Sequence, residues 1–263
     1  MLYTINRKQF IANALATSYA WTDLIRDSKN FPSNYYFDET NVFYLSINYG
    51  GGEVVVIFGP YSSNALTKAK EFFPCAVGFD FACNVDEYAD SIIKEKHGVT
   101  FLYRLQDRLQ EFNDITQTII KLKKMVDDTC SVELKSYDDL YMSFLRENHG
   151  ARLLNVWNRE REELLSGNQE LYLARNENDI LIGFVVVDVY KELGVCDISE
   201  ITVEEPFQNK GYGKQILQQV INQIPFKNGN VYYSSVSDDN IASKKIAEYV
   251  GFNAVACRIN IAL

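Results

Sequence analysis

Apolar residues recur at positions 216, 217, 220, 221 and 224. That spacing places them on one face of an α-helix with a 3.6-residue period. Just upstream, 197–203 predicts a strand ending at Val203, and a short polar, glycine-containing loop separates the two. The run 180–187 is apolar, rich in β-branched residues and contains Gly183, which reads as a buried strand. With 170–175 it predicts a hairpin around Asn176-Glu177-Asn178-Asp179, residues suited to tight turns. A strand at 231–236, a helix at 240–250 and a strand at 254–262 follow. Further upstream the pattern predicts a strand at 130–134 and helices at 138–148 and 153–165, the last closed by Gly167. The second half therefore reads β-α-α-β-β-β-α-β-α-β.

The first half also alternates helix and strand. Helices are expected at 6–25, 62–73 and 85–97, with Ser62 or Ser63 capping the second. Strands are expected at 41–46, 54–58, 76–82 and 99–103, the first two joined by the glycine-rich turn 48–52. Tyr35, Tyr36, Phe37, Asp38 and Glu39 form either an amine-binding stretch or a solvated turn. Between the halves, apolar residues at 105, 109, 112, 115, 119, 122 and 126 predict a long connector helix over 104–127. A dimerisation helix, and so a homodimer, is the alternative reading of that segment. The expected division is an α/β accessory domain over 1–127 and a second domain over 128–263.

The loop carries the chemistry. Gln208-Asn209-Lys210-Gly211-Tyr212-Gly213-Lys214 lies where a strand ends and a helix begins. Backbone N–H groups there lack partners and the helix dipole is positive, which favours a phosphate or pyrophosphate. Two glycines allow positive φ and a close approach of ligand to backbone. A Walker loop requires glycine where Gln208 stands and Ser or Thr where Gln215 stands. The dinucleotide fingerprint requires a small residue at 216, which is Ile. Neither fits.

The remaining pattern, Gln208-x-x-Gly211-x-Gly213, resembles the acyl-CoA loop of the GNAT superfamily of N-acyltransferases. Asn240, Ser243, Gly251 and Phe252 resemble that family's second motif, in the family's order and at its separation. The form of this second motif is similar to that of the ribosomal-protein N-terminal acetyltransferase branch. The resemblance covers the C-terminal half. It implies a GNAT fold there, with a mixed, mainly antiparallel sheet flanked by helices. The N-terminal half would then be an α/β domain resembling a degenerate copy.

The resemblance further implies that acetyl-CoA is the cosubstrate. Ile201, Thr202 and Val203 would offer backbone groups to pantetheine and the thioester. Gln208, Asn209, Lys210, Gly211, Tyr212, Gly213 and Lys214, with Asn240 and Ser243, would hold the phosphates. Asp197 and Glu200 are the candidate catalytic carboxylates, one as base and one orienting the amine. Strand alternation puts them on opposite faces unless a bulge intervenes. The family's usual acid, a Tyr seven residues after the Asn, is replaced by Ala247. Tyr249 lies about 200° further round the helix and cannot take its place by rotamer alone.

Composition narrows the partners. A net charge of −9 opposes non-specific binding to nucleic acid or anionic membranes and suits a cationic amine. No apolar run approaches the ~18 residues of a membrane helix. The five cysteines are scattered without Cys-x-x-Cys spacing, so neither a disulfide framework nor a metal site is expected, and a reducing cytoplasm is. The expected function is transfer of an acetyl group from acetyl-CoA to a primary amine, whether of a small molecule, an antibiotic or a polypeptide N-terminus. The alternatives are a non-catalytic acyl-CoA-binding or sensing protein and an interaction module that keeps only the fold.

Overall fold

The computed structural model describes residues 2–17, 35–47, 53–60, 62–84, 98–105, 121–124, 162–164, 166–191, 194–224 and 231–262. By their contacts the residues divide into two units that interleave in sequence. One comprises Met1–Tyr103, Ser234–Ile241 and Ala254–Leu263, and the other Arg104–Tyr233 and Ala242–Asn253.

In the first unit, β1 (Tyr3–Ile5), β2 (Tyr35–Phe37), β3 (Val42–Ile47) and β4 (Glu53–Phe58) form an antiparallel meander. A helix then carries the chain to β5 (Gly78–Asn84), which runs parallel to β4, as a crossover connection requires. That helix, α2 (Ser63–Phe72), begins where Ser62 accepts the Ala65 amide, so the expected cap is present. Helix α1 (Arg7–Thr17) buries Phe10, whose ring stacks on Tyr35 at 4.4 Å and meets Phe58 edge-on at 5.8 Å. The strand order is β1-β2-β3-β4-β5-β12-β6, with β6 at Gly98–Leu105 and β12 at Phe252–Ala262.

The last strand of the chain is thus an antiparallel partner of β5, from Ala256↔Asn84 to Ala262↔Gly78. Buried Asp80 fixes that register, accepting from Arg258 and from Asn260 at 2.5 Å. Cys83 and Cys257 face each other with their sulfurs 3.5 Å apart, both buried.

In the second unit the order is β11-β10-β9-β8-β7. The strands are β7 (Lys121–Lys124), β8 (Gln169–Arg175), β9 (Leu181–Tyr190), β10 (Val195–Val203) and β11 (Val231–Ser237), of which β11 also contributes to the first unit. β7 to β10 pair antiparallel, and β11 runs parallel to β10. The expected 176–179 turn joins β8 to β9, with the Asn176 side chain accepting the amides of Asn178 and Ile180. Helix α3 (Tyr212–Gln223) buries Ile216, Leu217, Val220 and Ile221, the stripe read from the sequence. Helix α4 is Ile241–Val250.

The expected connector helix is corrected at both ends. Arg104 and Leu105 belong to β6, and Lys121–Lys124 is the strand β7, paired with Tyr172–Arg175. Leu122 between Lys121 and Lys123 also satisfies a two-residue alternation, and the ladder with β8 gives these residues backbone partners that decide between the two periods. The middle of that helix, the turn 48–52, the helices 85–97 and 138–148, the strand 130–134, most of the helix 153–165 and the boundary near 127 lie outside the described residues.

Asp38 belongs to a turn. Its side chain accepts the amides of Thr40 and Asn41 and pairs with Lys68 at 2.6 Å. The stretch 35–39 is therefore committed to structure at its one buried carboxylate.

Candidate active site

The site grows from the end of β10. Ser199 is a bulge: Ile198 pairs with Val187, whereas Glu200 pairs with the next β9 residue, Val186. Asp197 pairs with Asp188. Because Asp188 and Val186 share one face of β9, their partners Asp197 and Glu200 also share one face. The condition under which the two carboxylates could act together is met. Asp197 is 0% exposed, whereas Glu200 is half-buried and receives a weak hydrogen bond from Thr202 Oγ1 at 3.4 Å.

The same face carries residues that the sequence reading passed over. Asp188 is buried and accepts from Gln169 Nε2 at 2.6 Å. Tyr232 lies beside Asp197 in the parallel ladder. The signal available was a charged residue directly after a continuous apolar run.

The bulge also marks the end of pairing on the other side of β10. Among the described residues, the ladder to β11 joins Cys196, Ile198 and Asp197 to Val231–Tyr233 and goes no further, while β10 continues to Val203. Ile201, Thr202 and Val203 pair with β9 alone in the ladders. β9 approaches very closely here. A Cβ at Gly183 would lie 2.3 Å from the Thr202 carbonyl oxygen, so glycine is required.

A 3-10 turn, Glu205–Phe207, leads from β10 to the loop. Gln208 Nε2 donates to the Val203 carbonyl at 3.0 Å and ties the loop to the strand end. Asn209 and Gly211 both take left-handed conformations, φ 60° and 82°. Gly211 is the N-cap residue of α3 and has no side chain to accept the first-turn amides. The exposed stretch Gln208–Gly211 thus leads onto a helix start whose N–H groups are open to a ligand. Gly213 is buried where a Cβ would stand 2.8 Å from Ile246 Cδ1 of α4. The α3 start and α4 are therefore in close contact.

The basic residues are held differently. Lys210 Nζ donates to the Pro206 carbonyl at 2.8 Å. Lys214 Nζ stands 4.0 Å over the Tyr249 ring. In α4, Ala247 is fully buried, and Ser243 hydrogen-bonds Tyr233, whose hydroxyl burial pushes above the ordinary tyrosine range, Ser243 pulling the other way. Asn240 precedes α4 and belongs to the first unit. Below the site, Tyr172 donates to Glu170 at 2.6 Å; burial first, then Glu170, holds its hydroxyl far above the usual range. Among the described residues no group of three or more His, Cys, Asp or Glu could hold a metal ion.

A family model described as the acetyltransferase (GNAT) family matches residues 134–252. The C-terminal half is a GNAT domain. A curated relative, the ribosomal protein bS18-alanine N-acetyltransferase of Haemophilus ducreyi, is 29% identical over 94 residues. That match covers 36% of this chain and 63% of the relative's own length. A GCN5-related N-acetyltransferase from Sphaerobacter thermophilus matches over 99% of this chain and 94% of its own, at 11% identity and TM-score 0.57. A GNAT-family acetyltransferase from Colwellia psychrerythraea matches over 99% of both chains, at 11% identity and TM-score 0.56. A tandem GNAT protein from the clavulanic acid biosynthesis pathway matches over 99% of this chain and 97% of its own, at 12% identity and TM-score 0.53. At such identities the likeness shows the fold alone. It is the GNAT mixed sheet with flanking helices that the motifs implied.

Proposed function

We propose that the protein transfers an acetyl group from acetyl-CoA to a primary amine. The observation that carries this reading is the coincidence of two features. β10 loses its β11 partner at the Ser199 bulge, and its far end leads into an uncapped helix start lined by left-handed residues. The loop backbone of Gln208–Lys214 would take the pyrophosphate. The backbone of Ile201–Val203 would pair with pantetheine and polarise the thioester carbonyl. Among the carboxylates Glu200, half-buried, is the one with access to an amine, and it would take the proton as the amine attacks. Asp197, fully buried on the same face, would border it from within the sheet. With Ala247 at the usual acid position, the CoA thiolate would take its proton from water.

Two observations support an amine acceptor: the chain's charge of −9 and the carboxylates that share one face of the sheet beside the open end of β10. The named activity of the Haemophilus ducreyi relative supports a polypeptide N-terminus as one acceptor class to test.

The test is a thermal-shift titration with acetyl-CoA followed by assay of CoA release with a panel of amines and N-terminal peptides. Ligand at a hundredfold excess over its dissociation constant should stabilise the fold by about 2.7 kcal/mol. Gly211→Val should abolish the shift, because φ 82° at that position strains any branched residue. Absence of a shift in the folded wild type would exclude acetyl-CoA. A shift without CoA release from any acceptor would leave the second reading, an acyl-CoA-binding protein without turnover, which the loss of the usual tyrosine at Ala247 favours.

A further inference from the structure

Two strands bring together a pair of thiols that are 174 positions apart in sequence. Cys83 of β5 and Cys257 of β12 stand directly opposite each other in the antiparallel ladder. Their side chains therefore leave the same face of the sheet. The sulfurs are 3.5 Å apart, one thiol donating to the other. Phe81 and Ile259, the next opposed pair on that face, are fully buried, as are both cysteines. The other face holds the register, because Asp80 accepts there from Arg258 and Asn260. A slip of one residue would break that clamp and send the two thiols to opposite faces.

Directly opposed residues of an antiparallel pair have Cα atoms about 4.5 or 5.5 Å apart, and both values lie within the roughly 4.4–6.8 Å that a disulfide spans. The sulfurs need to close by only about 1.5 Å to reach bonding distance. We propose that Cys83 and Cys257 form a redox-sensitive staple, two thiols when reduced and a β5–β12 disulfide when oxidised. The oxidant is a small disulfide of the glutathione class. One cysteine thiolate attacks it, forming a mixed disulfide and releasing one thiol. The second cysteine attacks the protein sulfur of that mixed disulfide and releases the other. The protein gives up two protons and two electrons, and the oxidant becomes two thiols. Both cysteines are 0% exposed, so the exchange proceeds while β12 is lifted from β5, and the bond closes as the strands pair again. A cross-link over so long a stretch of chain restricts the unfolded state more than a local one. The oxidised protein therefore resists unfolding better than the reduced one. The inference is independent of the acetyl-transfer reading.

The experiment incubates the full chain in glutathione buffers, from fully reduced to fully oxidised. Urea is held just below the unfolding midpoint so that β12 opens repeatedly. Remaining thiols are then alkylated, linked peptides are mapped by mass spectrometry, and urea midpoints are measured. Uptake of glutathione by exposed Cys75 shows that the oxidant is active. Wild type should yield a peptide joining residues 83 and 257. Its urea midpoint should rise by about 1 M and fall back on reduction. Cys83→Ala and Cys257→Ala should show neither the link nor the rise. The wild-type peptide map decides the matter without recourse to the variants. Glutathione on Cys75 with no link between 83 and 257 overturns the proposal. So does a link that leaves the midpoint unchanged or lower, or a rise that persists in the two variants.

Discussion

Asp38 shows two opposing effects on one carboxyl. Burial works to raise its pKa, but the Lys68 ammonium and the amides of Asn41 and Thr40 outweigh it and hold the group below its ordinary value. A lowered folded pKa means that the stabilisation is complete above the unfolded value near 3.8 and is lost as pH falls through the folded one. Asp38→Asn should therefore be less stable at pH 7, by about 1–3 kcal/mol, and should lose part of the wild type's decline below about pH 4. Urea midpoints at pH 7 and pH 3 measure both, and an unchanged acid slope would rule the mechanism out. At the proposed site, Glu200→Gln should lower kcat/KM by about 10² to 10⁴ at neutral pH. Asp197→Asn should change the pH profile, since it replaces a buried carboxyl on the face that Glu200 shares. If both variants keep the wild-type rate and profile, neither carboxylate handles the amine proton.

At the scale of elements, glycines with similar local sequence roles separate by what surrounds them. Gly183→Ala would drive a Cβ to 2.3 Å from a backbone oxygen of β10, which can yield only by moving the strand pair. Gly213→Ala meets the tip of the Ile246 side chain, which can change rotamer. The first should cost about 1–3 kcal/mol and the second clearly less, measured as denaturant midpoints. Equal costs would show that β9 and β10 are free to shift. The helix stripe of α3, the β8–β9 hairpin and the glycine loop that opens α3 were legible in the sequence because each is set by residues within a few positions of one another. The Ser199 bulge was not, because a bulge exists only relative to a partner strand. For the same reason β7 read as helix: its alternation becomes decisive only once Tyr172–Arg175 lies beside it. The co-facial carboxylates Asp188 and Asp197 required the register of two strands to be known.

For the molecule as a whole, the notable connection is between β5 and β12. Cutting the chain near 127 separates these partners, so fragments 1–127 and 128–263 each lose a strand pair and each should be poorly soluble alone. Expressed together they should recover the thermal transition of the intact chain if β5–β12 pairing is what the cut destroys. Recovery of a folded 1–127 fragment by itself, with a cooperative transition, would show that this pairing is dispensable. During synthesis, β5 is completed well before its neighbour β12. Cys83 and Cys257 are 174 positions apart, so at about 5–20 residues per second the partner follows roughly 9–35 s later. For that interval the nascent chain carries an open sheet edge, the kind that templates association between neighbouring chains. The first-made part of the sheet thus waits for a strand made much later. The protein's yield in a cell should therefore respond to translation speed and to chaperones that shield strand edges.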